Sequence, residues 1–499
     1  METRIFGGVP LSMQQDGWWL DAPKGTGQSK QKQRKHDSFK AGLLLTLIAC
    51  ADLLVWQAVP ALSFALVALM IFMAGLALAW PRISTQARVG IASGAVLSVL
   101  PLIELVQPLS VLIALCGLSA CCAALAGLSR RDLLRGAMRL WWVAPLHSFQ
   151  SGVKAADRVS QIRSVRFDIR ALVMTWALPL GATFIFALLL VGANPILDRG
   201  LNDLLKWQLP APNMWRLWFW IVLSIAIWPV LAAWGMRERL RARRPVRATV
   251  RRQGIINAGS VARSLVAFNA LFAVQTAMDV LFLYGDVGLP DGITAAAYAH
   301  RGAYPLLVTA LLAGLFAVLA RPHLAGRPVL RWLMLLWLAQ TLALVAASVW
   351  RLETYVDLYG LTRLRLAAYV WMGLVASGLC IVVWQVWKDR PAAWMLLRSG
   401  ALGAVVLYIC AFVSFDAAIA KHNLSRFADP DTVAICYLSE DVVPAMRARF
   451  GVGWQSICRS QYRTYVPRVF QPSDWREWGF RNWRVRRSLA AMNTAVTIP

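Results

Sequence analysis

Residues 332–350, WLMLLWLAQTLALVAASVW, carry no charge, and Gln340, Thr341 and Ser348 are the chief polar side chains among them. A helix at the surface of a soluble protein keeps a charged face. A helix that crosses a bilayer needs about 20 mostly apolar residues and no such face. The stretch therefore reads as a membrane span. Ten further blocks read the same way: 41–58, 61–80, 89–107, 109–128, 171–193, 216–235, 263–284, 303–320, 366–387 and 399–418. The composition agrees. Hydrophobic residues make up 58% of the 499, and charged residues only 15%, against about 25% in soluble chains. A soluble globule and a disordered chain are both excluded, and eight cysteines are too sparse for a disulfide scaffold. The expected fold is all-α: a polytopic transmembrane helix bundle of about eleven spans with a small C-terminal extramembrane helical domain.

Positive charge sets the orientation, because Lys and Arg are retained on the cytoplasmic side. With the amino terminus inside, the inner segments hold 33 of the 52 basic residues and the outer loops 6. Eleven spans then put the C-terminus outside, in the periplasm of a bacterial inner membrane. The domain reading that follows is a disordered basic cytoplasmic extension (1–38), a four-helix membrane part (39–128), a cytoplasmic amphipathic segment (129–170), a seven-span core (171–420) and a periplasmic C-terminal domain (421–499). The extension has no signal-peptide pattern, since its basic residues Lys30, Lys32, Arg34 and Lys35 stand just before the first long apolar run.

The +27 net charge has a topological explanation. The run Arg237, Arg239, Arg241, Arg243, Arg244, Arg247, Arg251, Arg252 lacks the aromatic or polar base readers that nucleic acid requires. It fits a loop against anionic lipid, so the partner it implies is the bilayer and not nucleic acid. In 129–170, Arg131, Arg135 and Arg139 recur every four residues, with Leu133, Leu134, Ala137, Leu140 and Trp141 on much of the other side. That is the pattern of an interfacial helix. Many of the 24 tryptophans flank the blocks, as in an aromatic belt.

No nucleotide-binding, metalloprotease, serine-hydrolase or dinucleotide motif occurs, and no His/Cys set has zinc spacing. The sequence implies no catalytic residue, metal or cofactor. Cys436 and Cys458 are the two cysteines of the tail. In an oxidising compartment they are candidates for a disulfide closing a loop of about 23 residues, worth about 3 kcal/mol. With the tail in the cytoplasm they would instead be free thiols.

Ionisable groups within spans are costly and mark packing or function. Asp52, Glu104 and Asp279 are such groups. In the block 263–284, Asn269, Thr276 and Asp279 fall on one helical face, with Gln275 beside them. The stripe fits interhelical hydrogen bonds or a substrate or proton site. All three carboxylates lie toward the outer ends of their helices. The outer loops add Asp291, His300, Arg301, Glu353, Tyr355, Asp357, Arg363 and Arg365. Converging there, these groups would bind a zwitterion, a sugar phosphate or a lipid headgroup; dispersed, they are loop caps and surface pairs.

FNALFAVQTAMDVLFLYG (268–285), LPDGITAAAYAHRGAYPLLVTALLAG (289–314), ETYVDLYGLTRLRLAAYVWM (353–372) and ANPILDRGL (193–201) resemble the bacterial membrane family labelled domain of unknown function 4153/4173. The tail pieces IAKHNLSR, YLSEDVVPAM and DWREWGFRNWR resemble that family's ending. The resemblance covers about residues 40–490. It implies a bacterial multi-span inner-membrane protein, supplies no reaction, and points to the second half of the chain.

Three functional readings follow. One is a protein that binds, transports or senses a small polar or amphiphilic ligand at the outer ends of the helices in 263–387. Another is a membrane enzyme acting on an envelope lipid or glycan, with His300 or Asp357 as general base. The last is a structural subunit of an envelope complex that works through Trp475, Trp478 and Trp483 of the tail, its protein partner unknown.

Overall fold

The computed structural model describes residues 26–129, 132–162, 179, 183, 211–241, 257–281, 308–309, 311–459 and 466–496. Among these residues the regular structure is entirely helical. The membrane part holds α1 (Thr26–Val55), α2 (Leu62–Ala79), α3 (Thr85–Glu104), α4 (Pro108–Leu125), α5 (Leu133–Ile162), α6 (Ala211–Leu231), α7 (Ala258–Asp279), α8 (Leu311–His323), α9 (Pro328–Tyr359), α10 (Arg363–Trp387) and α11 (Ala392–Cys410). A C-terminal module follows with α12 (Phe415–Arg426), α13 (Thr432–Cys436), α14 (Val443–Phe450), α15 (Trp454–Arg459) and α16 (Phe480–Val496).

Among the described residues nine helices are long and apolar enough to cross a membrane: α1 from Ser38, α2, α3, α4, α6 from Met214, α7, α9, α10 and α11. They coincide with nine of the eleven apolar blocks. The block 171–193 lies outside the described residues apart from 179 and 183, and 303–320 is described mainly as the shorter apolar helix α8. Large apolar side chains such as Leu396, Leu397, Val405, Leu407 and Ile409 of α11 are exposed. Such a surface is a liability in water and ordinary in lipid. The protein is a multi-pass membrane protein.

Two boundaries differ from the sequence reading. Residues 1–25 of the expected extension lie outside the described residues, but α1 already begins at Thr26. Its Lys, Arg and Gln residues are good helix formers and carry the apolar helix backward. The block 332–350 is the middle of a 32-residue helix, α9, which runs on to Tyr359. Pro328 opens it at the first position, where a missing N–H is harmless. Gly360 closes it at φ +73°, a conformation that suits glycine. In the C-terminal module α13 is capped by Asp431, whose carboxylate accepts from the Ala434 N–H at 3.0 Å.

The chain divides into two compact units, residues 1–99 with 115–243 and residues 100–114 with 244–499. In the first unit, Phe72, Leu76, Cys122, Leu125, Leu140, Val230 and Met236 form the main core. A Cβ on Gly75 would stand 2.6 Å from Val230 Cγ1, so the approach of α2 to α6 requires glycine there. Asp52 of α1 is held by Arg216 and Trp220 of α6, the indole donating at 2.9 Å.

In the second unit, Leu265, Phe272, Met334, Trp337, Leu338, Leu379 and Val386 centre a core built from α7 to α10. The C-terminal module has its own core, which includes Ile435, Val442, Met446 and Trp454. A disulfide joins Cys436 to Cys458 inside it.

Candidate functional site

Helix α7 is launched by a capping box. The Asn257 side chain accepts from the Ser260 N–H at 2.8 Å, and Ser260 Oγ accepts from the Asn257 N–H at 2.9 Å. This start sets the phase of the helix, and Asn269, Phe272 and Asp279 emerge on its buried face. Facing them on α9 are Trp337, Thr341, Leu344, Ser348 and Arg351, spaced by fours and threes and all buried. Phe268 and Phe272 pack on Trp337 with ring centroids 5.0 and 5.8 Å apart. Asn269 Nδ2 donates to the carbonyl of Leu333 at 3.0 Å and to its own Leu265 at 2.7 Å. Thr341 and Ser348 hydroxyls bond back to carbonyls four residues earlier, at 2.8 Å each.

At the end of this stripe Arg351 donates to Asp279, and the two side chains are 5% and 4% exposed. Gln275 Nε2 donates to the same carboxylate at 3.0 Å. An unpaired charge within a span is strongly unfavourable, so each partner makes the other tolerable. The pairing is incomplete. Asp279 Oδ2 and Thr276 Oγ1 are buried without a hydrogen-bond partner. So are Asn269 Oδ1, Trp337 Nε1, Gln340 Oε1 and Gln385 Nε2 of the same helical unit. Buried polar atoms normally find partners, and exceptions call for a bound water, an ion or a ligand.

Among the described residues, the other predicted side chains meet separate partners. Glu353 accepts from the hydroxyl of Tyr369. Tyr355 lies under the Arg365 guanidinium, 4.3 Å from its ring centroid, and beside Tyr359. Arg365 also donates to the carbonyls of Tyr359 and Gly360, closing the turn between α9 and α10. Asp357 meets Arg426 at 3.4 Å, and both are well exposed. Asp291, His300 and Arg301 lie outside the described residues.

Arg363 turns to the C-terminal module. It grips Asp416 with two hydrogen bonds of 2.7 and 2.6 Å, and the Ser439 N–H donates to the same carboxylate at 2.9 Å. Burial pushes the Asp416 carboxyl up, but these bonds and the Arg363 charge outweigh it and hold the group below the usual carboxylate range. Asn423 adds a second clasp through the Leu361 N–H and carbonyl, at 2.7 and 2.9 Å. Glu104 gives a third: Arg481 donates to it at 3.1 Å, and Arg484, three residues on, reaches the same oxygen.

Several of these partners were not apparent from the sequence. Arg351 reads there as part of an outer loop, because the apolar run stops at Trp350; its place in α9 makes it the partner of Asp279. Asp416 falls within the apolar block 399–418, but α11 ends at Cys410, and Asp416 stands in the first turn of α12. Among the described residues no group of three or more His, Cys, Asp or Glu is arranged to hold a metal ion.

No curated protein and no solved structure matches the chain. One family model matches residues 91–448, well over half of the chain and within the stretch that the sequence motifs marked. The chain belongs to the family described as Domain of unknown function (DUF4153).

Proposed function

We propose that this is a bacterial inner-membrane protein, amino terminus in the cytoplasm and C-terminal module in the periplasm, that binds a small polar or amphiphilic ligand beside Asp279 and Arg351. One observation carries the reading: a buried ion pair whose carboxylate keeps one oxygen, Oδ2, without a partner, with the Thr276 hydroxyl three residues earlier on α7 also unpartnered. A guanidinium and a carboxylate side by side suit a zwitterion, whose anionic group would take the Arg351 fork and whose cationic group would take Asp279. The ligand would meet its own charges there instead of leaving two protein charges to neutralise each other. The 33-to-6 bias of basic residues supports the orientation, and the nine span-length apolar helices among the described residues support the membrane setting.

The test uses the detergent-purified full chain, Asp279→Asn, Arg351→Gln, and the exchanged pair Asp279→Arg/Arg351→Asp. Thermal unfolding is followed with and without zwitterions, both amino acids and phosphoethanolamine. At least one should raise the unfolding temperature of the native protein by several degrees. Both single variants and the exchanged pair should lose that response, although the exchanged pair still inserts. If the exchanged pair responds like the native protein, or no zwitterion stabilises the native protein, the pair serves packing alone and the proposal fails.

A further inference from the structure

A cavity of about 1130 Å³ opens in the C-terminal module, between α14, α15, the segment after residue 466 and α16. Three arginines line it, Arg447, Arg459 and Arg468, together with Trp454, Gln455 and Gln471. Among the described residues no carboxylate lines it. Elsewhere in the C-terminal module Arg426, Arg476, Arg481 and Arg484 each reach an Asp or Glu. Arg447 instead donates to the neutral Asn493 amide.

Three guanidinium groups around one concavity repel one another, and an anion between them converts that repulsion into attraction. Arginine forks fit phosphate and carboxylate oxygens with paired hydrogen bonds. The rest of the lining narrows the class. Gln455 and Gln471 offer both donors and acceptors, as hydroxyl groups require. The Trp454 ring and aliphatic neighbours give an apolar wall. The volume slightly exceeds the roughly 300–1,000 Å³ of most small-molecule sites, so it holds more than one inorganic phosphate. Arg459 directly follows Cys458, and Trp454 and Gln455 share its short helix, so the disulfide to Cys436 anchors this wall in place.

We infer that this cavity is a binding site for a phosphate-bearing polyol, either a free sugar phosphate or the headgroup of an anionic phospholipid. The site is separate from Asp279 and Arg351 and does not depend on the reading given for them.

The test uses the full-length protein in phosphatidylcholine nanodiscs, titrated calorimetrically with glucose 1,6-bisphosphate. A parallel arm measures its thermal stability in nanodiscs with and without phosphatidylglycerol. The variants are Arg459→Gln/Arg468→Gln, the charge-preserving Arg459→Lys/Arg468→Lys, and the control Arg449→Gln, an exposed arginine on α14 outside the cavity. A saturable response to the bisphosphate marks a free ligand, and one confined to phosphatidylglycerol marks a headgroup. In either case the Gln pair should weaken the response at least ten-fold and the Lys pair by less, while Arg449→Gln leaves it unchanged. Arg459 and Arg468 are exposed, so the Gln pair keeps its fold, which resistance of the disulfide to thiol reagents would verify. The inference is overturned if neither probe acts on the native protein, if the Gln pair responds as the native protein does, or if Arg449→Gln weakens the response equally.

Discussion

Asp416 shows how one side chain ties the C-terminal module to the bundle. Its folded carboxyl is held below its ordinary value, so its contribution is complete above the unfolded value of about 3.9 and disappears as pH falls through the lower folded one. Asp416→Asn should therefore destabilise the module at pH 7 by about 1–2 kcal/mol, the exposed side of Arg363 screening part of the attraction. The gap between native and variant should close as the pH drops below 3.9. Limited proteolysis of the tail across a pH series measures it, and a gap that widens toward acid contradicts the assignment. Asp416 also shows what a sequence leaves hidden. Asp52, Glu104 and Asp279 could be read as expensive intramembrane carboxylates from the apolar runs around them. Their counter-charges could not. Arg216 stands at a helix edge, Arg351 lies past the point where apolarity stops, and Arg481 and Arg484 belong to a distant basic tail. An ion pair is set by tertiary approach, and nothing local in the chain encodes it.

At the scale of elements, periodicity was the most informative signal. The stripe Asn269–Thr276–Asp279 follows from a turn of 100° per residue, and α7 does present Asn269 and Asp279 to the interior. Helix α5 goes further, because it has two apolar faces. Ala137 and Leu140 are buried in the first unit, while Leu134, Met138, Trp141, Trp142, Leu146 and Phe149 form an exposed stripe, with Trp142 84% exposed. Arg139 edges that stripe and donates to the Arg241 carbonyl at 2.8 Å, while Arg135 falls between Trp142 and Leu146 in helical angle. An apolar stripe edged by arginine describes a helix lying in the headgroup boundary. Spin labels at Met138→Cys and Leu146→Cys in vesicles should be relaxed more by oxygen than by a water-soluble nickel chelate. A label at Val452→Cys, exposed in the C-terminal module, should show the opposite preference. Equal access to the chelate at all three would place the stripe in water or under a soluble partner.

For the whole molecule, orientation decides what each surface meets. The basic loops and the disulfide constrain it independently. In the proposed orientation the arginine-rich connections stay on the side of synthesis and the Cys436–Cys458 disulfide faces an oxidising compartment. Both constraints are satisfied together only when the number of spans between them is odd, as eleven is. The nine long helices among the described residues, with the short apolar α8 and the block 171–193, reach that number. Membrane-impermeant thiol reagents give a direct check. Val452, 76% exposed beside α14, should be labelled as Val452→Cys in intact cells. Arg239→Cys, in the basic connection after α6, should react only after the membrane is permeabilised. The reverse pattern would place the C-terminal module in a reducing compartment and leave Cys436 and Cys458 as thiols. It would also turn the arginine-lined cavity toward cytoplasmic phosphates, so the same labelling decides which pool of anions the cavity samples.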